Sequence, residues 1–150
     1  MLTRTGSASL LPALGGLALL GACASTGTYV APVSDAPAAL VVGEDPTFLD
    51  GLDPLATTSA TWFEQVDDDT LSRSAWSGYP NEVRVPPGEH RLSVGGAVRQ
   101  RGRVIAAGDA VFRVDFEAGR TYHVSTSLVP GKPGEVEILM ETSDSAVSDG

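Results

Sequence analysis

From Val83 onward the chain alternates apolar and polar residues with a period of two. In "NEVRVPPGEHRLSV" the residues Val83, Val85, His90, Leu92 and Val94 share one face, and Arg84, Arg91 and Ser93 the other. Successive side chains of a strand point to opposite faces, so the pattern predicts half-buried β-strands. Between the two runs, Pro87-Gly88 fits the central pair of a type II turn, Pro presetting φ and Gly accepting a positive φ. "AVFRVDFEAGRTYHV" repeats the plan. Ala110, Phe112, Val114 and Phe116 point inward, Arg113 and Asp115 outward, Ala118-Gly119 turns, and Tyr122 and Val124 resume the inner face. "GKPGEVEILME" supplies another turn and a closing strand, with Val136, Ile138 and Met140 inward and Glu135 and Glu137 outward. "AALVVGE" and "ATWFEQVD" predict two earlier strands. Asp45 to Ser59 reads as one helical turn or a loop. About seven short strands with Gly/Pro turns and no convincing helix predict an all-β fold, a small antiparallel β-sandwich over residues 38–141.

The start of the chain has a different pattern. "MLTRTG" carries one positive charge, Arg4, and no acid, and Ser7 to Leu20 is apolar or small. That run is too short for a spanning helix of ~20 apolar residues. A charged start, a short apolar middle and a small-residue exit describe a cleaved export signal, residues 1–22. Immediately after it stands the sole cysteine, Cys23.

"LGAC" resembles the lipobox of bacterial lipoproteins: an aliphatic residue, two small residues, then an obligatory cysteine. The resemblance implies a thiol carrying diacylglycerol, cleavage just before Cys23 and acylation of the new amino terminus. An ordinary A-x-A site, Ala22-Cys23-Ala24, competes, with cleavage after Ala24 and loss of the cysteine. The lipobox is preferred because every position fits and no second cysteine exists to pair with this one. Two or more acyl chains hold a protein stably on a membrane. In the same family an aspartate directly after the cysteine favours inner-membrane retention. Ala24 and Ser25 stand here instead, which points to the outer membrane, facing the periplasm.

Cleavage before Cys23 leaves 128 residues, one domain's worth. The segment from Cys23 to residue 37 is rich in Ser, Thr, Pro, Gly and Ala and reads as a flexible tether. Residues 142–150, "TSDSAVSDG" with its first Thr at 142, read as a disordered acidic tail. Arg4 is the only basic residue ahead of Cys23, leaving nine basic residues against 19 acidic ones, a mature charge of −10. Such a balance argues against nucleic acid, whose phosphates need a positive face. It also argues against the body lying on an anionic lipid surface.

"VRVPPGEHRLSV", "FRVDFEAGRTYHV" and the final alternating strand resemble small bacterial lipoproteins of unknown function with a body related to PEGA-type and transthyretin-like modules. In that group a strand ending in "vDG" precedes a hairpin opened by Pro-Gly; Val66-Asp67-Asp68 stands in the place of the former. The likeness spans roughly residues 60 to 141, without the P-E-G-A start, and implies a β-sandwich and no particular chemistry.

Candidate chemistry is sparse. No G-x-S-x-G elbow, H-E-x-x-H or P-loop occurs, so no catalytic residue, enzyme activity or cofactor is assigned. His90 is expected to pack, hydrogen-bonded, inside the sandwich, and His123 to face solvent. Asp67, Asp68 and Asp69, with Glu44, Asp45, Asp50 and Asp53, carry oxygens of the kind Ca²⁺ takes, but their spacing is not that of an EF-hand, and solvated turn acids are expected. No metal site is assigned. Trp62, Phe63, Trp76 and Tyr79 are core residues or line a pocket. "VRQRGRV" gathers Arg99, Arg101 and Arg103 between a strand ending at Val94 and one starting near Ala110. In an extended segment the three lie on one side, either a solvated hairpin tip or a contact for an acidic surface such as an envelope protein or a lipopolysaccharide phosphate. The expected function is a membrane-anchored, non-catalytic interaction or structural module with an envelope-protein partner. The alternative is a small-ligand or Ca²⁺-binding lipoprotein using the acidic loops.

Overall fold

A computed structural model of the protein describes residues 27–45, 55–75 and 78–143. Cys23, the export signal, Asp50, Asp53, Trp76 and residues 144–150 lie outside the described residues, as does most of the segment read as a helical turn or loop. Within them the fold is all-β: a sandwich of two four-stranded sheets. The strands are β1 (Ala39–Gly43), β2 (Thr57–Val66), β3 (Asp69–Thr70), β4 (Glu82–Val85), β5 (Gly88–Gln100), β6 (Arg103–Phe116), β7 (Thr121–Leu128) and β8 (Val136–Ser143). One sheet runs β4-β1-β7-β8, the other β3-β2-β5-β6. The eighth strand, beyond the seven expected, is short β3, which pairs with the end of β2 through Gln65–Thr70 and Val66–Asp69.

Alternation builds the core. Val83, Val85, Leu92, Val94, Phe116, Tyr122 and Val124 are buried, as the period of two requires, and Val41, Phe63 and Val66 meet them from the earlier strands. Phe116 packs edge-on against Tyr122, ring centroids 4.9 Å apart, and the Glu117 N–H donates to the Tyr122 hydroxyl at 3.0 Å. Towards the other end the sheets close up. A Cβ on Gly96 would strike the Thr126 side chain, and beside it the buried Thr61 and Thr126 hydroxyls hydrogen-bond across the sandwich at 2.8 Å.

Three connections depart from the sequence reading. Pro87-Gly88 joins no hairpin: β4 pairs with β1 and β5 with β2 and β6, so the turn carries the chain from one sheet to the other. Gly88 does adopt a positive φ of 116°. The second departure is the pairing of β1 with β7, which is parallel, Leu40 opposite Thr121 and Val42 opposite His123. Parallel neighbours need a crossover, and everything between β1 and β7 supplies it. Third, β5 and β6 run well past Val94 and begin well before Ala110, pairing from Gly88–Phe116 out to Gln100–Arg103.

The segment expected to be a free tether is fastened wherever it is described. Tyr29 N–H donates to the Thr70 carbonyl and Thr70 N–H to the Gly27 carbonyl, both at 2.8 Å. The Tyr29 hydroxyl donates to the Arg84 carbonyl at 2.6 Å. The Arg84 guanidinium in turn reaches the carbonyls of Pro32, Val33 and Ala36 at 3.3, 2.7 and 3.0 Å. Residues 27–38 form a strap against the body.

Candidate functional site

A concave feature lies on the outer face of β2. Thr61 and Phe63 point into the core, so Ala60, Trp62 and Glu64 face outward. The Trp62 indole lies over Gly95, its partner across the ladder, where any side chain would collide with the ring. Its Nε1 donates to Glu64 Oε1 at 2.9 Å, which fixes the ring against the sheet.

Two segments build a wall beside this platform. Beyond the reach of β3, the free edge of β2 is met by loop carbonyls: Thr61 N–H donates to Glu44 at 2.9 Å and Phe63 N–H to Pro80 at 2.8 Å. Gly43 N–H donates to the Asn81 carbonyl at 2.7 Å and ties the two segments together. Gly43 is required here, since a Cβ would stand 2.6 Å from the Thr61 carbonyl oxygen. The result is an open cleft of about 680 Å³ whose lining includes Trp62, Tyr79, Glu44, Glu64, Arg73 and Asn81. The Arg73 guanidinium sits 4.7 Å from the Tyr79 ring centroid, a cation–π arrangement. Glu44 Oε2 accepts the Thr126 N–H at 2.9 Å, so this acid also links the cleft to the opposite sheet.

A second cluster surrounds the turn between β2 and β3. Asp67 adopts φ 54°, a left-handed conformation that Asp tolerates better than most residues. Its carboxylate accepts the Arg91 N–H at 3.0 Å and faces His90 Nδ1 at 2.8 Å. Burial would push the Asp67 carboxyl up, but the Arg91 N–H and His90 outweigh it and hold the group below its ordinary value. Arg91 also reaches the Asp67 carbonyl at 3.2 Å and pairs with Asp68. Tyr29, nearby, is pushed up to about 12 by burial and then by the Asp67 charge, so its hydroxyl stays a donor.

The sequence candidates distribute as follows. His90 is hydrogen-bonded as expected, but at the rim: its side chain is 20% exposed and lies 6.4 Å from the Phe116 ring. His123 is exposed. Among the described residues no group of His, Cys, Asp and Glu is placed to hold a metal ion. Asp67 and Asp68 are occupied by His90 and Arg91, far along the sheet from the Glu44–Asp45 segment. Arg99, Arg101 and Arg103 do not share one side. Arg99 and Arg103 stand opposite Val104 and Gln100, neighbouring rungs of the ladder whose side chains point to opposite faces. Between them Arg101 and Gly102 form the two-residue tip with φ 51° and 72°, the pattern of a type I′ turn. Of the three, Arg99 borders the cleft.

Of the four aromatics, Phe63 is core, while Trp62 and Tyr79 line the cleft. Trp62 and Tyr79 take the pocket-lining alternative, while nothing in the sequence brings Glu44, Arg73 and Asn81 beside them. One signal for the cleft is present: adjacent Trp62 and Phe63 cannot both face inward on one strand. Comparison with protein-family models, with curated proteins and with solved structures finds no match.

Proposed function

We propose that this chain is a lipid-anchored envelope lipoprotein, placed on the outer membrane and facing the periplasm, whose sandwich is a non-catalytic interaction module. The lipobox-like "LGAC" supplies the anchor in this reading. The strap is the observation that carries it. Gly27 lies four residues after Cys23 and is already hydrogen-bonded to the body, so the leash spans at most ~14 Å. A domain held that close offers its surfaces to partners at the membrane rather than sweeping the space beyond it. β6 forms one edge of its sheet over 14 residues, with Val104 and Val111 more than half exposed. Such an edge accepts an added strand through its backbone groups.

The test is Cys23→Ser in cells. The wild type is expected in the membrane fraction, labelled by a fatty-acid probe and crosslinked to an envelope protein through β6. Cys23→Ser should be released from membranes or persist as unprocessed precursor. A variant that fractionates and migrates like the wild type would falsify the anchor. A second reading, a small-ligand-binding lipoprotein, is favoured by the cleft over Trp62.

A further inference from the structure

We propose that the cleft over Trp62 binds a neutral oligosaccharide of pyranose sugars, stacked on the indole. The volume of about 680 Å³ falls in the ordinary range for small-molecule sites. The floor is a flat aromatic ring, backed by the Gly95 main chain and locked by its bond to Glu64. A fixed ring of this kind offers a negative π face, which suits the weakly positive C–H face of a sugar ring. It also loses little conformational entropy on binding, because the ring is already held.

The polar lining selects among ligands. Glu44, Asp45 and Glu64 supply acceptors; Arg73, Arg99 and Asn81 supply donors. An anionic ligand would meet three carboxylates, and an amine would meet two guanidinium groups. Hydroxyl groups donate and accept at once, so a polyhydroxylated neutral chain satisfies both sets without placing like charges together. Arg73, resting on the Tyr79 ring, is held at the wall rather than free to fold over the platform. The cleft is open, as passage of a chain of sugars requires, and its assignment does not depend on the anchor.

The experiment uses the full chain carrying Cys23→Ser, titrated with cellotetraose and with maltotetraose while the indole N–H resonance of Trp62 and the heat of binding are followed. At least one sugar should bind with a dissociation constant in the range of about 10 μM to 1 mM and shift that resonance. Tyr79→Ala and Trp62→Ala should each weaken binding about tenfold or more, equivalent to 1.4 kcal/mol. Tyr79→Ala leaves the Trp62–Gly95 packing in place and so keeps the test open should Trp62→Ala fail to fold. No shift with either sugar at about 10 mM, undiminished binding by both variants, or preferential binding of inorganic phosphate or tetramethylammonium in the cleft would each overturn the proposal.

Discussion

Arg84 and the arginines of the β5–β6 tip carry the same charge on strands of similar alternation, yet they do opposite things. Arg84 spreads its guanidinium over three backbone carbonyls of the strap and is half-buried. Arg101 and Arg103 stand exposed at the far end of the longest hairpin. Between these extremes, Arg91 reaches one backbone carbonyl and the Asp68 carboxylate at a partly exposed corner. The difference follows from what the neighbouring chain offers. Carbonyls of a segment without its own ladder need donors, and a fork of N–H groups meets several at once. A hairpin tip has already satisfied its backbone, so charge there serves mainly to keep the edge soluble.

The sharpest way to break this contrast is Arg84→Ala. Charge-assisted hydrogen bonds to three carbonyls are lost, so about 2 kcal/mol of stability should go, lowering Tm by about 5–10 °C. Amides of residues 29–38 should exchange faster in the same variant, as measured by hydrogen–deuterium exchange. Unchanged melting and exchange would mean that the strap is held by its backbone bonds alone.

A smaller effect is expected at the intermediate corner. The folded state holds Asp67 below 3.8, so its contribution is complete above that value and is lost as pH falls through the lower folded value. Asp67→Asn keeps a side chain that accepts φ 54° but removes the charge facing His90. It should be less stable than wild type at pH 7 by under about 1 kcal/mol, because the carboxylate is half exposed. The two melting curves should converge as the solution is acidified below pH 3.8. A gap that persists at pH 2 would assign the loss to packing instead.

The smallest effect belongs to the tip. Arg101→Ser with Arg103→Ser should move stability by no more than about 0.5 kcal/mol. Adding Arg99→Ser should leave melting equally unchanged and alter only what the cleft rim binds. A large loss of stability in the triple variant would show that the tip is structural after all.

The strands are legible where they are half-buried: Val83 to Val94, Phe112 to Phe116 and Tyr122 to Val124 reveal their inner faces by alternation. β5 beyond Val94 is buried on both faces through Val98 and shows none. Which sheet a strand joins is not legible, because that depends on partners far away in the chain. Pro87-Gly88 announces a turn equally well whether the next strand folds back or crosses to the other layer. β3 carries no signal in the sequence because two residues have no period, and its one acid, Asp69, reads with Asp67 and Asp68 as a solvated turn acid or a calcium ligand. The Arg84 strap could not be read because its acceptors are backbone carbonyls, which every residue possesses. Trp62 reads from the sequence as a pocket or core residue, and only the tertiary placement of Glu44 and Tyr79–Asn81 makes it the floor of a cleft.

The parallel pairing of β1 bears on the order in which the chain closes. Val41, in the first strand made, lies opposite Val83 and opposite Tyr122, the second 81 positions further on. The middle slot of its sheet therefore stays open until nearly the whole body has been delivered. Loop-closure entropy is spent before those contacts return anything, which makes such pairing slow. If the chain is exported amino terminus first, as the proposed function requires, the strand nearest the proposed anchor waits longest for its neighbours. The proposed anchor would then be in place over an unfinished sheet, with β1 exposed to any passing strand until β7 arrives.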